Sequence, residues 1–288
     1  MTDNILISPT QLQQMSSSLP TVIIDTRSPD AYAAGHIPGA VNLHDIFTFL
    51  ATSSKEGLEE LRDKFAAAFG AAGLSGEEVA VIYEDSMNTG FGQSCRGFFL
   101  LQFLGYPKAV ILHGGYQAWL AESLPVSTEV PAAEAKTFPI DTAAASVMLT
   151  KDDMLAVLDK PDVVKLDVRD VDEWVGTSSS PYGIDFCPRK GRIPGAVWLE
   201  WYRMMKPGEE VPVFKSKEEL QAECATVGID ADSTVYLYCF KGARASNTFV
   251  ALKEAGVKDV RLYFGSWNEW SRDPALPIEA GHAVWQAA

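Results

Sequence analysis

One ordered series of short motifs occurs twice in this chain, and a chain built that way is expected to fold as two copies of one unit. Val22-Ile23-Ile24-Asp25-Thr26-Arg27 is followed by Gly35-His36-Ile37-Pro38-Gly39-Ala40-Val41. Val164-Lys165-Leu166-Asp167-Val168-Arg169 is followed by Gly191-Arg192-Ile193-Pro194-Gly195-Ala196-Val197. Each copy then has an apolar run, Ala80-Val81-Ile82-Tyr83 or Val235-Tyr236-Leu237-Tyr238. Each closes on a Gly-aromatic-Trp segment, Gly114-Gly115-Tyr116-Gln117-Ala118-Trp119 or Gly265-Ser266-Trp267-Asn268-Glu269-Trp270, that leads into Leu-Pro. The offset between copies runs from 142 to 156 residues, so insertions separate them while the order holds. A length of 288 residues gives each copy enough chain to bury its own core.

Within each copy, Val/Ile-rich runs alternate with helical stretches. Ala245, Phe249 and Leu252 form one apolar stripe that Gly256 ends. Such alternation predicts an α/β fold, each unit a mostly parallel sheet flanked by helices. The expected domains are residues 1–125 and 146–288. Residues 126–145, rich in Ala, Pro, Thr and acidic side chains and without apolar period, are expected to link them. In sheets of this kind ligands gather beyond the carboxyl ends of the strands, which points to the residue after Tyr238.

That residue is Cys239, opening the loop Cys239-Phe240-Lys241-Gly242-Ala243-Arg244. Three features favour its thiolate, the reactive form: loop N–H groups that converge as a nest, the N-terminus of the following helix, and the cations Lys241 and Arg244. Gly242 permits the backbone curvature such a loop needs. Alone, Cys239 reads equally well as a small apolar residue ending a buried strand. The other copy shifts the balance: it has Glu84 at the matching position, followed by Asp85-Ser86-Met87-Asn88, with no basic residue before Arg96. A packing position would hardly tolerate that change, whereas a site that lost its chemistry in one copy explains it. The first domain is therefore expected to be catalytically silent.

The remaining composition narrows the function classes. With 24 Lys and Arg against 38 Asp and Glu, the net charge of −14 argues against binding nucleic acid or an anionic membrane. Yet 18 of those cations lie in residues 131–288, and Cys187 to Lys206 holds five basic residues and one acidic, so a local anion site remains open. No apolar run reaches the ~18 residues a membrane helix needs, and Met1-Thr2-Asp3-Asn4 lacks a secretory layout, so a cytoplasmic location is expected. Cys95, Cys187, Cys224 and Cys239 form neither a CxxC pair nor a cluster with histidines, so no metal is expected. Cys95 and Cys224 read as buried helix residues. Cys187 reads as a bystander, with a resolving thiol for Cys239 as the alternative.

The repeated Asp-x-Arg and Gly-His/Arg-Ile-Pro-Gly-Ala motifs, the strand-ending Cys with its six-residue loop and Gly-Ser-Trp-x-Glu-Trp together resemble the two-domain rhodaneses. These are the thiosulfate and 3-mercaptopyruvate sulfurtransferases. The resemblance spans Ser8 to about Glu279. It implies that Cys239 takes a sulfur from a small-molecule donor, holds it as a persulfide cradled by residues 240–244, and passes it to cyanide or a thiol, a protein thiol among the options. It implies no cofactor, and a monomer is expected. The two loop cations favour thiosulfate as donor, with mercaptopyruvate the alternative. Where many members have an Arg that grips the donor, this chain has Glu173, so Arg189, Lys190 or Arg192 is expected to replace it. Trp201 is a further candidate for lining the cleft. Asp25 with Arg27 and Asp167 with Arg169 read as structural pairs, because the silent copy keeps them. Two other classes stay open: a Cys-dependent phosphatase, whose loop would be one residue longer, and a noncatalytic binding module.

Overall fold

The computed structural model describes residues 5–280, apart from the side chains of residues 142, 144 and 145. The first copy supplies strands β1 (Leu6–Ile7), β2 (Thr21–Asp25), β3 (Val41–Asn42), β4 (Val79–Tyr83) and β5 (Ala109–Leu112). The second supplies β6 (Met148–Leu149), β7 (Val163–Asp167), β8 (Val197–Trp198), the short pair β9 (Met205–Lys206) and β10 (Val213–Phe214), then β11 (Thr234–Tyr238) and β12 (Asp259–Tyr263). The two five-stranded sheets have matching orders, β1-β5-β4-β2-β3 and β6-β12-β11-β7-β8. Every pairing within them is parallel, so helices must make the crossovers. Only β9 and β10 pair antiparallel. The expected α/β architecture is thus the one observed.

Each unit opens with the same start signal. Ser8 Oγ accepts from Gln11 N while the Gln11 side chain accepts from Ser8 N. In the second copy, Thr150 and Asp153 make the equivalent reciprocal pair. Central strands such as β4, buried along its whole length, read as unbroken apolar runs because both sheet faces are covered. One core gathers Ile7, Leu12, Ile23, Val81, Leu112 and Trp119; the other gathers Leu149, Cys187, Tyr238, Phe240, Trp267 and Trp270.

The compact units differ from the division drawn from composition. The first comprises the described residues up to 49, with 55–147 and 204–216; the second comprises 50–54, 148–203 and the described residues from 217 onward. Residues 126–145 are not a free linker but a strap on the first unit. His36 and Ser127 form a bridge, Lys136 N donates to Gly70 O at 2.8 Å, and Asp141 N donates to Leu104 O at 2.9 Å. The Phe138 ring stacks on Tyr106 with centroids 5.2 Å apart. The strap lacks a period because backbone bonds and one aromatic anchor hold it, rather than an apolar face. No helix among the described residues is long and apolar enough to cross a membrane.

Candidate active site

The repeated motifs build the same scaffold twice. Arg27 and Arg169 grip Asp25 and Asp167 through both Nε and Nη2, and Nη2 also donates to the carbonyl of Gly35 or Gly191. The aspartates also accept from Tyr83 and Tyr238 hydroxyls at the ends of β4 and β11. Those hydroxyls in turn accept from Ile37 N and Ile193 N, the start of each Ile-Pro-Gly turn. The Asp-x-Arg pair thus fixes the loop after one central strand to the tip of its neighbour, buried in both units, as the sequence led us to expect.

On this scaffold the second unit places Cys239 at the carboxyl end of β11, 1% exposed. Its loop leads into a helix, Ala243–Ala255, whose start residue Gly242 has φ +89°. There a Cβ would stand 3.0 Å from the Phe264 ring, so only glycine fits both the turn and the space. That turn aims Gly242 N at Cys239 Sγ, 3.2 Å away, a loop N–H donating to sulfur at a helix N-terminus.

The far side of the loop is pinned by the closing segment. Trp267 N and Asn268 N donate to the carbonyls of Cys239 and Phe240, both at 3.0 Å. Ser266 Oγ accepts from Cys239 N and donates to Tyr263 O. Ser266 holds φ +54° where the first copy has Gly115 at +66°. Sequence reading passed over Ser266; the signal was a non-glycine residue kept in a position that the other copy gives to glycine.

Several expected anion-binding cations have other employment. Arg244 Nη1 and Nη2 donate to Glu173 Oε2 and Oε1 at 2.6 and 3.1 Å, and Asp170 Oδ1 lies 2.9 Å from Nη1. Burial opposes the Arg244 charge, but Glu173, Cys239 and Asp170 sustain it. Burial likewise pushes the Glu173 carboxyl up, against the pull of Arg244. Arg189 is a brace, its Nε, Nη1 and Nη2 donating to the carbonyls of Ser271, Leu276, Trp270 and Asp273. Arg192 pairs with Glu279 and lies over the Trp174 ring. Arg189 and Arg192, expected to replace a donor-gripping arginine, thus turn their guanidinium forks onto the protein. Lys190 is exposed, with Nζ donating to Thr177 O, and Lys241 Nζ stands 5.4 Å from the Tyr182 ring centre. Trp201 is fully buried, its Nε1 donating to Asp170 Oδ1 at 3.2 Å. It supports Asp170 rather than lining an open cleft.

Glu84 occupies the equivalent place in the first unit, at the end of β4 and fully buried. Its carboxylate accepts from Gln93 N at 2.7 Å and Ser94 Oγ at 3.1 Å, at the start of the helix Gln93–Phe103. A Cβ on Gly90 would stand 2.1 Å from Glu84 Oε2, so the carboxylate fills the space under its own loop. Burial pushes its pKa up to about 8 against the helix N–H groups that favour the anion. Cys187, Cys95 and Cys224 are all buried, and burial pushes each thiol up. Asp170, Asp172 and Glu173 could gather around a cation, but Arg244 is already paired with two of them.

The family model described as "Rhodanese-like domain" matches residues 8–122 and 150–273. A thiosulfate sulfurtransferase of Azotobacter vinelandii is 31% identical over 278 residues, covering 96% of this chain and 97% of that protein. The sulfur carrier protein TtuD of Thermus thermophilus is 30% identical over 256 residues, covering 87% of each. Among solved structures, a variant of EanB in complex with ergothioneine superposes with a TM-score of 0.82 at 24% identity, over 96% of this chain and 70% of that one, a likeness of fold alone.

Proposed function

The chain belongs to the rhodanese family, with two such domains in tandem, and on that premise we propose that it is a sulfurtransferase working through a Cys239 persulfide. The observation that carries the proposal is Gly242 N donating to Cys239 Sγ at a helix N-terminus, where the first unit holds a carboxylate instead. Cys239 thiolate attacks the outer sulfur of a sulfane donor. With thiosulfate, the donor in the relatives' names, the S–S bond breaks and sulfite leaves with its electron pair. The terminal sulfur of the persulfide then bears the negative charge, and the loop 240–244 offers it N–H groups. Cyanide or a thiolate attacks that sulfur, leaving as thiocyanate or a new persulfide and returning the Cys239 thiolate. Two half-reactions on one nucleophile predict ping-pong kinetics.

The chemistry calls on no resident cofactor, and the reading carries with it a cytoplasmic monomer. Arg244 speaks against a phosphatase, since the fork that would bind phosphate is held bidentate by Glu173. The test is Cys239→Ser. It is expected to abolish sulfur transfer to cyanide, leaving at most about a thousandth of the wild-type rate, with the fold retained by circular dichroism. Retained turnover in that variant would refute the role of Cys239.

A further inference from the structure

Residue 173 sits one turn from the Asp-x-Arg motif, and its buried side chain reaches the last residue of the nucleophile loop. Arg244 is 6% exposed and Glu173 1%, so their bidentate pair is shielded from solvent. Asp170 adds a second carboxylate 2.9 Å from the same guanidinium, and Trp201 Nε1 fixes Asp170 from behind. One cation thus faces two anions beside the loop. The arginine is near enough to Cys239 for the two to interact electrostatically, so whatever charge surrounds Arg244 is also felt by the sulfur. Arg189 and Arg192 are committed to Trp270, Ser271, Leu276 and Glu279 and cannot swing in without breaking those bonds.

We infer that Glu173 is a specificity-determining residue that withholds Arg244 from the substrate, so that Cys239 exchanges sulfur with monoanionic or neutral sulfur species, organic hydropersulfides and thiols, in preference to dianions. The inference rests on the sulfurtransferase reading and names the substrate class within it. For a hydropersulfide donor the step balances without any added oxidant: Cys239 thiolate attacks the terminal sulfur of R–S–SH, the S–S bond breaks, and R–S⁻ leaves with the electron pair. Cys239–S–SH remains. A dianion such as thiosulfate must approach the same sulfur past a net negative group, and its rate falls accordingly. A monoanion feels about half that repulsion, and a neutral donor feels almost none.

The experiment compares kcat/KM for loading Cys239 from thiosulfate and from 2-hydroxyethyl hydropersulfide, which has no charge besides that of its own ionised sulfur, with cyanide as acceptor, in wild type, Glu173→Gln and Glu173→Asp. Glu173→Gln frees one guanidinium edge and removes one negative charge. It is expected to raise kcat/KM for thiosulfate by about tenfold, mainly through a lower KM, and to change the hydropersulfide value by less than about threefold. Glu173→Asp keeps the charge and is expected to keep the wild-type ratio between donors. Should Glu173→Gln not fold, the wild-type salt dependence serves: the thiosulfate rate rises with added salt more steeply than the hydropersulfide rate as repulsion is screened. An unchanged donor ratio in Glu173→Gln, or a thiosulfate rate that falls with salt, overturns the inference. Failure of every donor to add sulfur to Cys239 in the intact-mass spectrum overturns instead the sulfurtransferase reading on which it rests.

Discussion

The ends of β4 and β11 are the same place built twice, and they differ in which side chain meets the following helix. At β11 a thiol sulfur lies under the N–H of Gly242. At β4 the Glu84 carboxyl group accepts from Gln93 N and Ser94 Oγ, so that unit fills the nest with its own side chain. The scaffold beneath is unchanged: each arginine-held aspartate accepts from the tyrosine that ends the neighbouring strand. The comparison teaches that the fold's contribution is an anion site at a helix start, and that chemistry depends on whether the occupant is a nucleophile or a carboxylate. A duplicated unit can lose its reaction and keep the geometry, because a buried carboxyl group satisfies the same donors.

The sharpest way to break this comparison is to attack what the two units share. Asp167→Asn leaves Arg169, 0% exposed, without its charge partner and is expected to cost about 3–5 kcal/mol in stability. Asp25→Asn is expected to cost a similar amount through Arg27. Urea unfolding of both variants checks this. If Asp167→Asn keeps full stability and loses only turnover, the shared pair is not structural and the two units are less alike than their bonds imply.

A smaller effect sharpens the contrast from the silent side. The Glu84 carboxyl is raised to about 8 from an ordinary 4.5, so the folded state holds the proton more tightly than the unfolded chain does. Its stabilising share is complete below the unfolded value and is lost as pH rises through about 8. Glu84→Gln stays neutral throughout. Relative to wild type it is expected to gain on the order of a few kcal/mol of stability between about pH 5 and pH 9, read as a flatter dependence of the urea midpoint on pH. A difference between the two proteins that does not change with pH would mean that Glu84 is ionised in the folded unit across that range.

What the sequence revealed, and what it hid, follows from the range of each interaction. The repeated motifs are local, and the matching sheet orders follow from them, as does the pairing of Asp25 with Arg27 and Asp167 with Arg169 two residues apart. The place of Cys239 was legible because a strand end is a local event. The partners of the arginines were not. Arg189 closes on carbonyls more than eighty residues away, and Arg244 on Glu173 seventy-one residues before it, contacts that no spacing announces. A count of cations near the loop therefore overstated the positive charge available to a donor. The strap at 126–145 is hidden from sequence for a related reason: backbone bonds to Gly70 and Leu104 leave no pattern in the side chains.

The central claim is that the first unit's anion site is filled from within while the second's accepts a sulfur on Cys239. Intact-mass spectrometry of the full chain after incubation with thiosulfate or hydropersulfide, followed by peptide mapping, tests it most directly. The expected result is one added sulfur per chain, located on Cys239 and removed by cyanide. An adduct on Cys95, Cys187 or Cys224, or none on Cys239 with either donor, would contradict the account.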